Sequence, residues 1–472
     1  MASAYSPQVI LAIVCVGQFF LPFMQGGVAA ILPSIGQDVP ATAQELSLVT
    51  ASYTLGLAVS QLATGSLGDI WGRRRIFLIG MGVFCACSLA LSFIRDIHAF
   101  LFVRLIQGLG QAMFNASGLA ILATTAPPGK RSAYLGISGA AVYAGIGCGP
   151  PLAGAVAGLL SWPWLFRLSC LAGLVVLCLM ARKVRGEWYQ DKGHPFDVVG
   201  ALLYGAAMVT LTVGATIVPR HPVSGSGLVL LHVVLLALFA WWEARTRHAL
   251  LDVRLLVRNR VFGLSALAAF ISYASTFGML FFFSLYLQLI HGMDVSSAGM
   301  VLAVQFLIQS AAAPLAGRLA DRFGPQLISS VGLALCGVGL LYAGLLDKGA
   351  PLWQLVAAQV GLGLGVAFFG MPNTSVVIES AGADHLGQAA GLTGAARTGG
   401  ALFNMVIVSA TFGFYMGGQA IGPETADAFL QCMHLDLIFF GVLNLCAIGC
   451  ALGRFVPVKN APSPGQGADG QR

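Results

Sequence analysis

The chain has 472 residues, of which 57% are hydrophobic and only 9% are charged, and it carries a formal net charge of +7. Soluble globular proteins are about 45–50% apolar and about 25% charged, so this chain has too few charged residues to cover a water-facing surface. The composition therefore predicts an integral membrane protein and excludes a soluble enzyme.

Fourteen apolar runs follow one another along the chain, and each is long enough to cross a bilayer as a helix of about 20 residues. The runs are continuous rather than alternating, which favours helices over a β-barrel. The first run is too long for a cleaved signal peptide and lacks a positively charged leader. The predicted spans are 9–33, 44–66, 75–95, 98–122, 132–158, 162–182, 198–218, 226–243, 260–290, 297–317, 326–346, 352–379, 387–416 and 429–453.

The basic residues predict how these spans are oriented. With both termini in the cytoplasm, 19 of the 25 Lys and Arg residues lie on the cytoplasmic side and three, Arg95, Arg220 and Lys348, lie on the outer side. This excess is typical of the positive-inside rule. It also accounts for the net positive charge, because the basic side faces the anionic inner leaflet and not a nucleic acid. We therefore expect a multi-pass protein of a bacterial-type inner (plasma) membrane.

Two motifs occur twice at nearly the same spacing. Residues 65–72 and 317–324 both read G-x-L-x-D-x-x-G and are 252 positions apart, while GISGAAVYAG begins at 136 and GLTGAARTGG begins at 391. The repeat predicts two related six-helix halves with a transport site between them. The predicted units are a first half (1–182), two inserted transmembrane helices with their loops (183–254), a second half (255–456) and a disordered tail (457–472).

Three motifs resemble those of one transporter family, the major facilitator superfamily. GSLGDIWGRRR at 65–75 resembles its signature loop between the second and third helices, and LFVRLIQGLG at 101–110 resembles its fourth-helix motif. GIGCGPPLAG at 145–154 resembles the fifth-helix motif of its exporters. The residues that carry this last motif are Gly145, Gly149, Pro150 and Gly154.

The whole pattern is similar to the fourteen-helix drug:proton antiporter branch of that superfamily, the multidrug efflux type. The resemblance implies an all-α membrane fold of two six-helix halves plus two extra helices. It also implies export of small, mostly hydrophobic organic compounds by proton antiport. An exporter or importer of one specific metabolite or siderophore, with weak or different proton coupling, is the alternative within the same fold.

One feature of the branch is missing from the first span. The branch usually carries an aspartate about nine residues before a Leu-Pro pair. Leu32 and Pro33 are present here, but Met24 and Gln25 occupy the place of the acid. A group that binds protons must then lie elsewhere. The candidates for proton coupling are Arg104, Glu45, Asp436 and Glu379.

Polar side chains on single helix faces predict a central cavity. In the fourth span, Arg104, Gln107, Gln111 and Asn115 follow the spacing i, i+3, i+7, i+11 and share one face. A charge inside the membrane is expensive and usually points into the bundle, although such side chains also join neighbouring helices. The other candidates for the cavity wall are Gln18, Gln25, Tyr53, Tyr273, Gln305, Gln309, Asn373, Arg397 and Asn404, with Gln61 and Tyr143 as weaker neighbours.

The two repeated loops predict a contact between the halves, and the family resemblance implies that it acts as a conformational latch. A carboxylate at the end of one helix can accept the free N–H groups at the start of another helix. The repeat places Asp69 at the start of the thirteenth span (387–391) and Asp321 at the start of the fifth span (132–136). A solvated loop is the alternative. The predicted latch residues are Gly65, Asp69, Gly72, Arg73, Gly317, Asp321 and Gly324.

Other classes of protein lack their motifs. Residues 127–131 lack the first glycine of a P-loop and the Ser or Thr that follows its lysine. The glycines at 361–365 lie within an apolar span rather than after a strand, and the ten cysteines show no zinc-site spacing. The sequence therefore predicts no enzyme, metal, cofactor or nucleotide, and it indicates no obligate protein partner. The expected partners are the lipid bilayer, a small-molecule substrate and protons.

Overall fold

The structure is a computed structural model that describes residues 6–41, 43–190, 192–218, 221–293, 295–382, 385–416 and 426–454. The predicted tail (457–472), the last residues of the predicted second half and Arg220 lie outside the described residues. The described part of the chain forms helices and connecting segments without a β-strand. The predicted all-α architecture is thus confirmed over the described residues.

Seventeen helices are described. Those of the N-terminal bundle are α1 (Pro7–Ala30), α2 (Leu32–Asp38), α3 (Ala43–Trp71), α4 (Arg73–Leu91), α5 (Ile97–Thr125), α6 (Arg131–Leu159) and α7 (Trp162–Lys183). The next three are α8 (Val198–Ile217), α9 (Pro222–Glu243) and α10 (Val253–Arg258). Those of the C-terminal bundle are α11 (Arg260–Thr276), α12 (Met279–Leu289), α13 (Val295–Phe323), α14 (Pro325–Ala343), α15 (Leu352–Ala381), α16 (Leu386–Met416) and α17 (Ala426–Leu452).

Thirteen helical segments of the described chain are long and apolar enough to cross a membrane, with α11 and α12 together forming one of them. The fourteenth predicted span is α3, whose 29 residues measure about 43 Å along the helix axis. Its polar residues Ser60, Gln61 and Thr64 are buried in the protein, which explains why it is less apolar than a helix that faces lipid. The predicted set of fourteen spans agrees with the structure to within a few residues at most ends.

Two predicted spans are interrupted in the structure. The first span, 9–33, divides at Ile31 into α1 and the short α2. The ninth span, 260–290, divides at Phe277 and Gly278 into α11 and α12. In both cases the sequence pattern predicts one apolar run, because hydropathy alone does not register a local change in backbone direction.

Glycine residues let neighbouring helices pack closely, because glycine has no side chain. In the N-terminal bundle α1 packs on α6, and α3 packs on α5. Gly56 of α3 lies against the Leu105 carbonyl, and Gly108 of α5 lies against the Tyr53 carbonyl, so a Cβ atom at either glycine would overlap backbone. Small residues permit this approach in membrane helices. In the C-terminal bundle α14 packs on α15 and α17.

The two bundles meet mainly along two helix pairs, α6 with α13 and α3 with α16, and α6 also contacts α15 while α5 also contacts α16. Helices α8 and α9 pack on each other, and α8 also packs on α3 and α16. The boundaries of the predicted domains, at 182, 254 and 456, stay predictions.

We call the end of the molecule that carries the α3–α4, α5–α6 and α13–α14 connections the basic face. Two turns at this face have the same backbone conformation, with Gly72 at φ +103° before α4 and Gly324 at φ +93° before α14. Residues other than glycine rarely adopt this region. The repeated sequence therefore forms a repeated turn.

Candidate functional site

The α13–α14 loop reaches across to the N-terminal bundle at the basic face. The backbone N–H groups of Ser132 and Ala133, in the first turn of α6, each donate a 2.9 Å hydrogen bond to the Asp321 carboxylate. Gly317 permits the approach, because a Cβ atom there would lie 2.5 Å from the Ser132 carbonyl oxygen. A carboxylate at a helix N-terminus is favourable both for the free N–H groups and for the helix dipole.

The α3–α4 loop makes a different contact. Arg73 donates to Asp69 Oδ1 from Nε at 3.0 Å and from Nη2 at 2.8 Å, and it donates from Nη1 to Thr124 Oγ1 at 2.9 Å. Both side chains of the ion pair are buried. The Asp69 carboxylate lies against Gly387 near the start of α16, where a Cβ atom would overlap it. Asp69 thus lies at the predicted end of α16, while its ion pair stays within its own loop.

Glycines and hydroxyl groups extend these contacts between the bundles. Gly65 packs against the Gly387 carbonyl, and a Cβ atom at Gly136 would lie 2.6 Å from the Ala313 carbonyl oxygen. Ser132 Oγ donates to Ser375 Oγ on α15 at 2.9 Å, and Ser375 Oγ donates to Glu379 Oε1 at 3.0 Å. The proton-coupling candidate Glu379 is therefore two hydrogen bonds from the start of α6.

The guanidinium of Arg104 lies among helices of the N-terminal bundle, and its predicted place in a cavity wall stays a prediction. Its guanidinium is fully buried within the N-terminal bundle and stacks on the Tyr53 ring of α3, 4.3 Å from the ring centroid. Arg104 donates to the Val49 carbonyl at 3.3 Å and to Gln107 Oε1 at 2.7 Å, and Gln107 donates to Ser88 Oγ on α4 at 2.7 Å.

The four polar residues of α5 share one helix face, but the first two of them, Arg104 and Gln107, contact α3 and α4. The predicted place of Gln107 and Tyr53 in the cavity wall likewise stays a prediction. These side chains contact one another inside a single bundle and link its helices.

A small central cavity lies deeper in the molecule, between the two bundles. The predicted residues Asn115, Tyr273 and Arg397 line it, together with Gln61 of α3. Its volume is about 20 Å³, enough for about one water molecule, whereas pockets for drug-sized ligands measure about 300–1,000 Å³. The central site is thus closed around its polar groups. Further lining residues that the sequence analysis missed are Ala116, Leu119, Met371, Thr374, Ala390, Thr393 and Gly394.

Periodicity offers a signal for some of the missed residues and not for others. Thr393 precedes Arg397 by four positions and so shares its helix face. Thr374 and Met371 lie next to Asn373 and Pro372 on α15, but the side chain of Asn373 itself points elsewhere. Only the packing of α15 against its neighbours decides which of these residues reaches the cavity.

Two other predicted cavity amides bind backbone within the C-terminal bundle. Asn373 Nδ2 donates to the Ser265 carbonyl at 3.1 Å, and Asn404 Nδ2 donates to the Ala274 carbonyl at 2.6 Å. Both acceptors lie on α11, so these amides join helices within the bundle, and their predicted place in the cavity wall stays a prediction. Gln305 Nε2 lies 3.8 Å from the sulfur of Met279 on α12. Of the remaining predicted amides, Gln18, Gln111 and Gln309 are buried and Gln25 is half-buried.

The glycines of the fifth-helix motif differ in their surroundings. Gly145 packs against the Phe19 carbonyl of α1, and Gly149 lies against Phe23 and Gly27 of the same helix. Pro150 lies inside α6. Gly154 has open space where a Cβ atom would stand. Two of the three glycines therefore bring α1 and α6 together.

The other two candidate acids, Asp436 and Glu45, differ in how deeply they are buried. Asp436 of α17 is fully buried, and its Oδ2 accepts a 2.7 Å hydrogen bond from Thr411 Oγ1 of α16. Glu45 is half-buried in the first turn of α3. Among the described residues, no group of three or more His, Cys, Asp or Glu side chains has the arrangement of a metal site.

The chain matches the family description Major Facilitator Superfamily over residues 14–402, with a second match over residues 265–471. It belongs to the major facilitator superfamily. The protein is therefore a multi-pass membrane transporter and not an enzyme, and the predicted family and fold are confirmed.

Three known proteins illustrate what this chain is similar to. The tetracenomycin C resistance and export protein of Streptomyces glaucescens is 30% identical over 407 residues, 85% of this chain and 75% of that protein. The riboflavin transporter RibZ of Clostridioides difficile is 26% identical over 371 residues, 78% of this chain and 80% of that protein. The solved structure of the proton:xylose symporter XylE has a TM-score of 0.68 at 15% identity and covers 96% of each chain. This last likeness shows the fold alone.

Proposed function

We propose that this protein exports small, mostly hydrophobic organic compounds by proton antiport with alternating access. The observation that carries the proposal is the pair of inter-bundle contacts at the basic face, made by Asp321 with α6 and by Asp69 with α16. Two bundles joined by contacts that can break are what a rocking mechanism requires. The 30% identity to the tetracenomycin C resistance and export protein supports export as the direction.

The basic face is the cytoplasmic face in this proposal. Arg73, Arg74 and Arg75 lie there, as do Arg182 and Lys183 at the end of α7. Such enrichment in short loops favours the cytoplasmic side of a bacterial-type inner membrane. Both termini then lie in the cytoplasm. In this orientation the molecule is closed towards the cytoplasm, because Gly65, Gly136 and Gly317 at the basic face pack against backbone of the opposite bundle.

Asp436 is the proton carrier that the geometry supports best. It is fully buried, it accepts one hydrogen bond from Thr411, and it forms no ion pair with another described residue. An ionised carboxylate buried without a cation is costly in a membrane, and binding a proton removes that cost. Thr411 belongs to α16, the helix that also carries Arg397 and Gly387. Protonation of Asp436 can thus act on the helix that lines the cavity and meets Asp69.

Asp436→Asn tests this assignment in proteoliposomes with an imposed pH gradient. The assay follows N-phenyl-1-naphthylamine, a neutral hydrophobic dye whose fluorescence reports its removal from the membrane. We expect at least about a tenfold loss of gradient-driven transport, because asparagine cannot exchange a proton, while exchange without a gradient persists. Asp427→Asn, an exposed aspartate of the same helix, is the control and should transport normally. Full gradient-driven transport by Asp436→Asn would exclude it as the carrier.

Transport of one specific metabolite is the second candidate, and the 26% identity to a riboflavin transporter favours it. Inverted and right-side-out vesicles separate export from import by the direction of dye accumulation. A panel of growth-inhibitory compounds, with and without the protein, separates broad export from transport of one compound. Protection against several unrelated compounds supports the proposed function, and protection against none contradicts it.

A further inference from the structure

The two central arginines of the molecule differ in their partners. Arg104 is fully buried among the Tyr53 ring, the Val49 carbonyl and the Gln107 amide. Arg397 lines the cavity between the bundles. Within the described part of the chain it forms neither an ion pair nor a side-chain hydrogen bond. The partners of Arg104 thus lie within its own bundle, whereas Arg397 offers its charge to the cavity.

The depth of Arg397 places it near the middle of the membrane. It follows the first residue of α16 by eleven positions, about 16 Å along the helix from the basic face. Gln61 and Asn115 lie ten positions before the ends of α3 and α5 at the same face, so all three side chains occupy one layer between the bundles. This layer is where transporters of two repeated halves bind their substrates.

The cavity contains one charged residue and several neutral polar groups. Arg397 is the only charged side chain among its lining residues, and none of these residues is an acid. Gln61 is 1% exposed, and its Nε2 donor has no hydrogen-bond partner among the described residues. A buried donor without an acceptor is costly, and so is a cation without a counter-ion in a membrane. Both costs are removed by the same kind of ligand, an anionic oxygen.

We propose that the central cavity binds the anionic group of an otherwise hydrophobic, aromatic substrate, with Arg397 as the counter-ion and Gln61 as a neutral donor beside it. The inference rests on the proposed export function and names the substrate class. A guanidinium binds a carboxylate or a sulfonate with two parallel N–H donors. Leu119, Met371 and the Tyr273 ring form an apolar wall for the rest of the molecule.

A cationic substrate fits this cavity poorly. It would bring a second positive charge next to Arg397, and no lining carboxylate would offset the repulsion. The cavity of about 20 Å³ must widen to admit any drug-sized molecule, and separation of the two bundles during transport provides that change. The charge of the cavity, unlike its volume, persists through such a movement.

Two dyes with one ring system test the proposal. 8-Anilino-1-naphthalenesulfonate carries a sulfonate, and N-phenyl-1-naphthylamine is its neutral counterpart. Binding of each dye is measured by fluorescence titration of the full-length protein in lipid nanodiscs, after subtraction of empty nanodiscs. We expect the wild type to bind the sulfonate at least about tenfold more tightly than the neutral dye.

Arg397→Gln should weaken sulfonate binding at least about tenfold and leave binding of the neutral dye unchanged, because only the charge partner is lost. Arg397→Lys should retain part of the preference, since it keeps the charge without the two-donor fork. Arg258→Gln removes an exposed arginine at the end of α10 and serves as the matched control; it should bind both dyes as the wild type does. All variants are checked for a monodisperse profile.

Three results would overturn the inference: an unchanged sulfonate preference in monodisperse Arg397→Gln, equal binding of the two dyes by the wild type, or no sulfonate binding at all. Proteoliposome transport of the same dyes addresses the proposed function separately. Arg397-dependent binding without gradient-driven transport of either dye would contradict proton-driven export and leave the anion site standing. Gradient-driven transport of the neutral dye without sulfonate binding would support proton-driven export and contradict the anion site.

Discussion

The α3–α4 and α13–α14 loops share one sequence pattern and one glycine turn, yet their aspartates have different partners. Asp69 binds Arg73, four residues later in its own loop, and lies against Gly387. The position equivalent to Arg73 is Pro325, so Asp321 has no such arginine and instead accepts two N–H groups of α6. The loops thus differ at the residue after the glycine, which is an arginine that binds the aspartate in the first loop and a proline in the second.

This difference assigns the two loops different tasks. Asp69 and Arg73 are both buried, so loss of either partner leaves a charge without its counter-ion inside the N-terminal bundle, and the carboxylate also touches α16. Asp321 is exposed at the basic face, and its bonds join the two bundles directly. We therefore expect changes in the first loop to affect stability most and changes in the second loop to affect transport most.

The largest effect should come from Asp69→Asn. It leaves the Arg73 guanidinium buried without its counter-ion, which costs about 3–5 kcal/mol. Thermal unfolding in detergent should shift to a clearly lower temperature, and the double variant Asp69→Asn/Arg73→Gln should recover most of the loss. Arg75→Gln, whose side chain is 66% exposed in its contact with Glu187, is the control and should change stability little. Wild-type stability of Asp69→Asn would contradict the structural role of the ion pair.

Asp321→Asn should mainly slow transport. Asparagine offers one acceptor oxygen to the two N–H groups of α6 and no charge to the helix dipole, a loss of about 1.5–3 kcal/mol for bonds to a charged group. We expect dye transport in proteoliposomes to fall about tenfold, with an unfolding temperature close to that of the wild type. The neighbouring exposed Arg322 provides a control as Arg322→Gln. Unaltered transport in Asp321→Asn would remove the case for a latch at this loop.

The smallest effect should come from Pro325→Arg, which gives the second loop the arginine of the first. An arginine four residues after Asp321 competes with the α6 N–H groups by about 0.3–0.5 kcal/mol, the usual strength of an exposed pair at this spacing. Transport should therefore fall about twofold, and the further change Asp321→Asn should cancel the effect of the added arginine. If Pro325→Arg lowered transport as strongly as Asp321→Asn, one residue would account for the whole difference between the loops.

The polar side chains of the apolar spans show what the sequence does not determine. Arg104 and Arg397 both stand in apolar spans with amides at helical spacing, and both are predicted cavity residues. The structure directs the first into α3 and α4 and the second towards the cavity. Asn373 and Asn404, predicted on the same basis, bind carbonyls of α11. Periodicity identifies residues that share a face of one helix, but it carries no information about which neighbour covers that face.

The sequence by itself determined the class of protein, the helices and the repeated loops. Each of these follows from local chemistry: apolar runs must form helices in lipid, and Gly72 and Gly324 are needed where φ is positive. The repeat also predicted that Asp321 meets the start of α6, whereas the tertiary structure alone decided that Arg104 packs on Tyr53 and that the charge of Arg397 meets the interface between the bundles. These contacts join residues far apart in sequence, and their geometry is set by how closely packed helices rotate and approach.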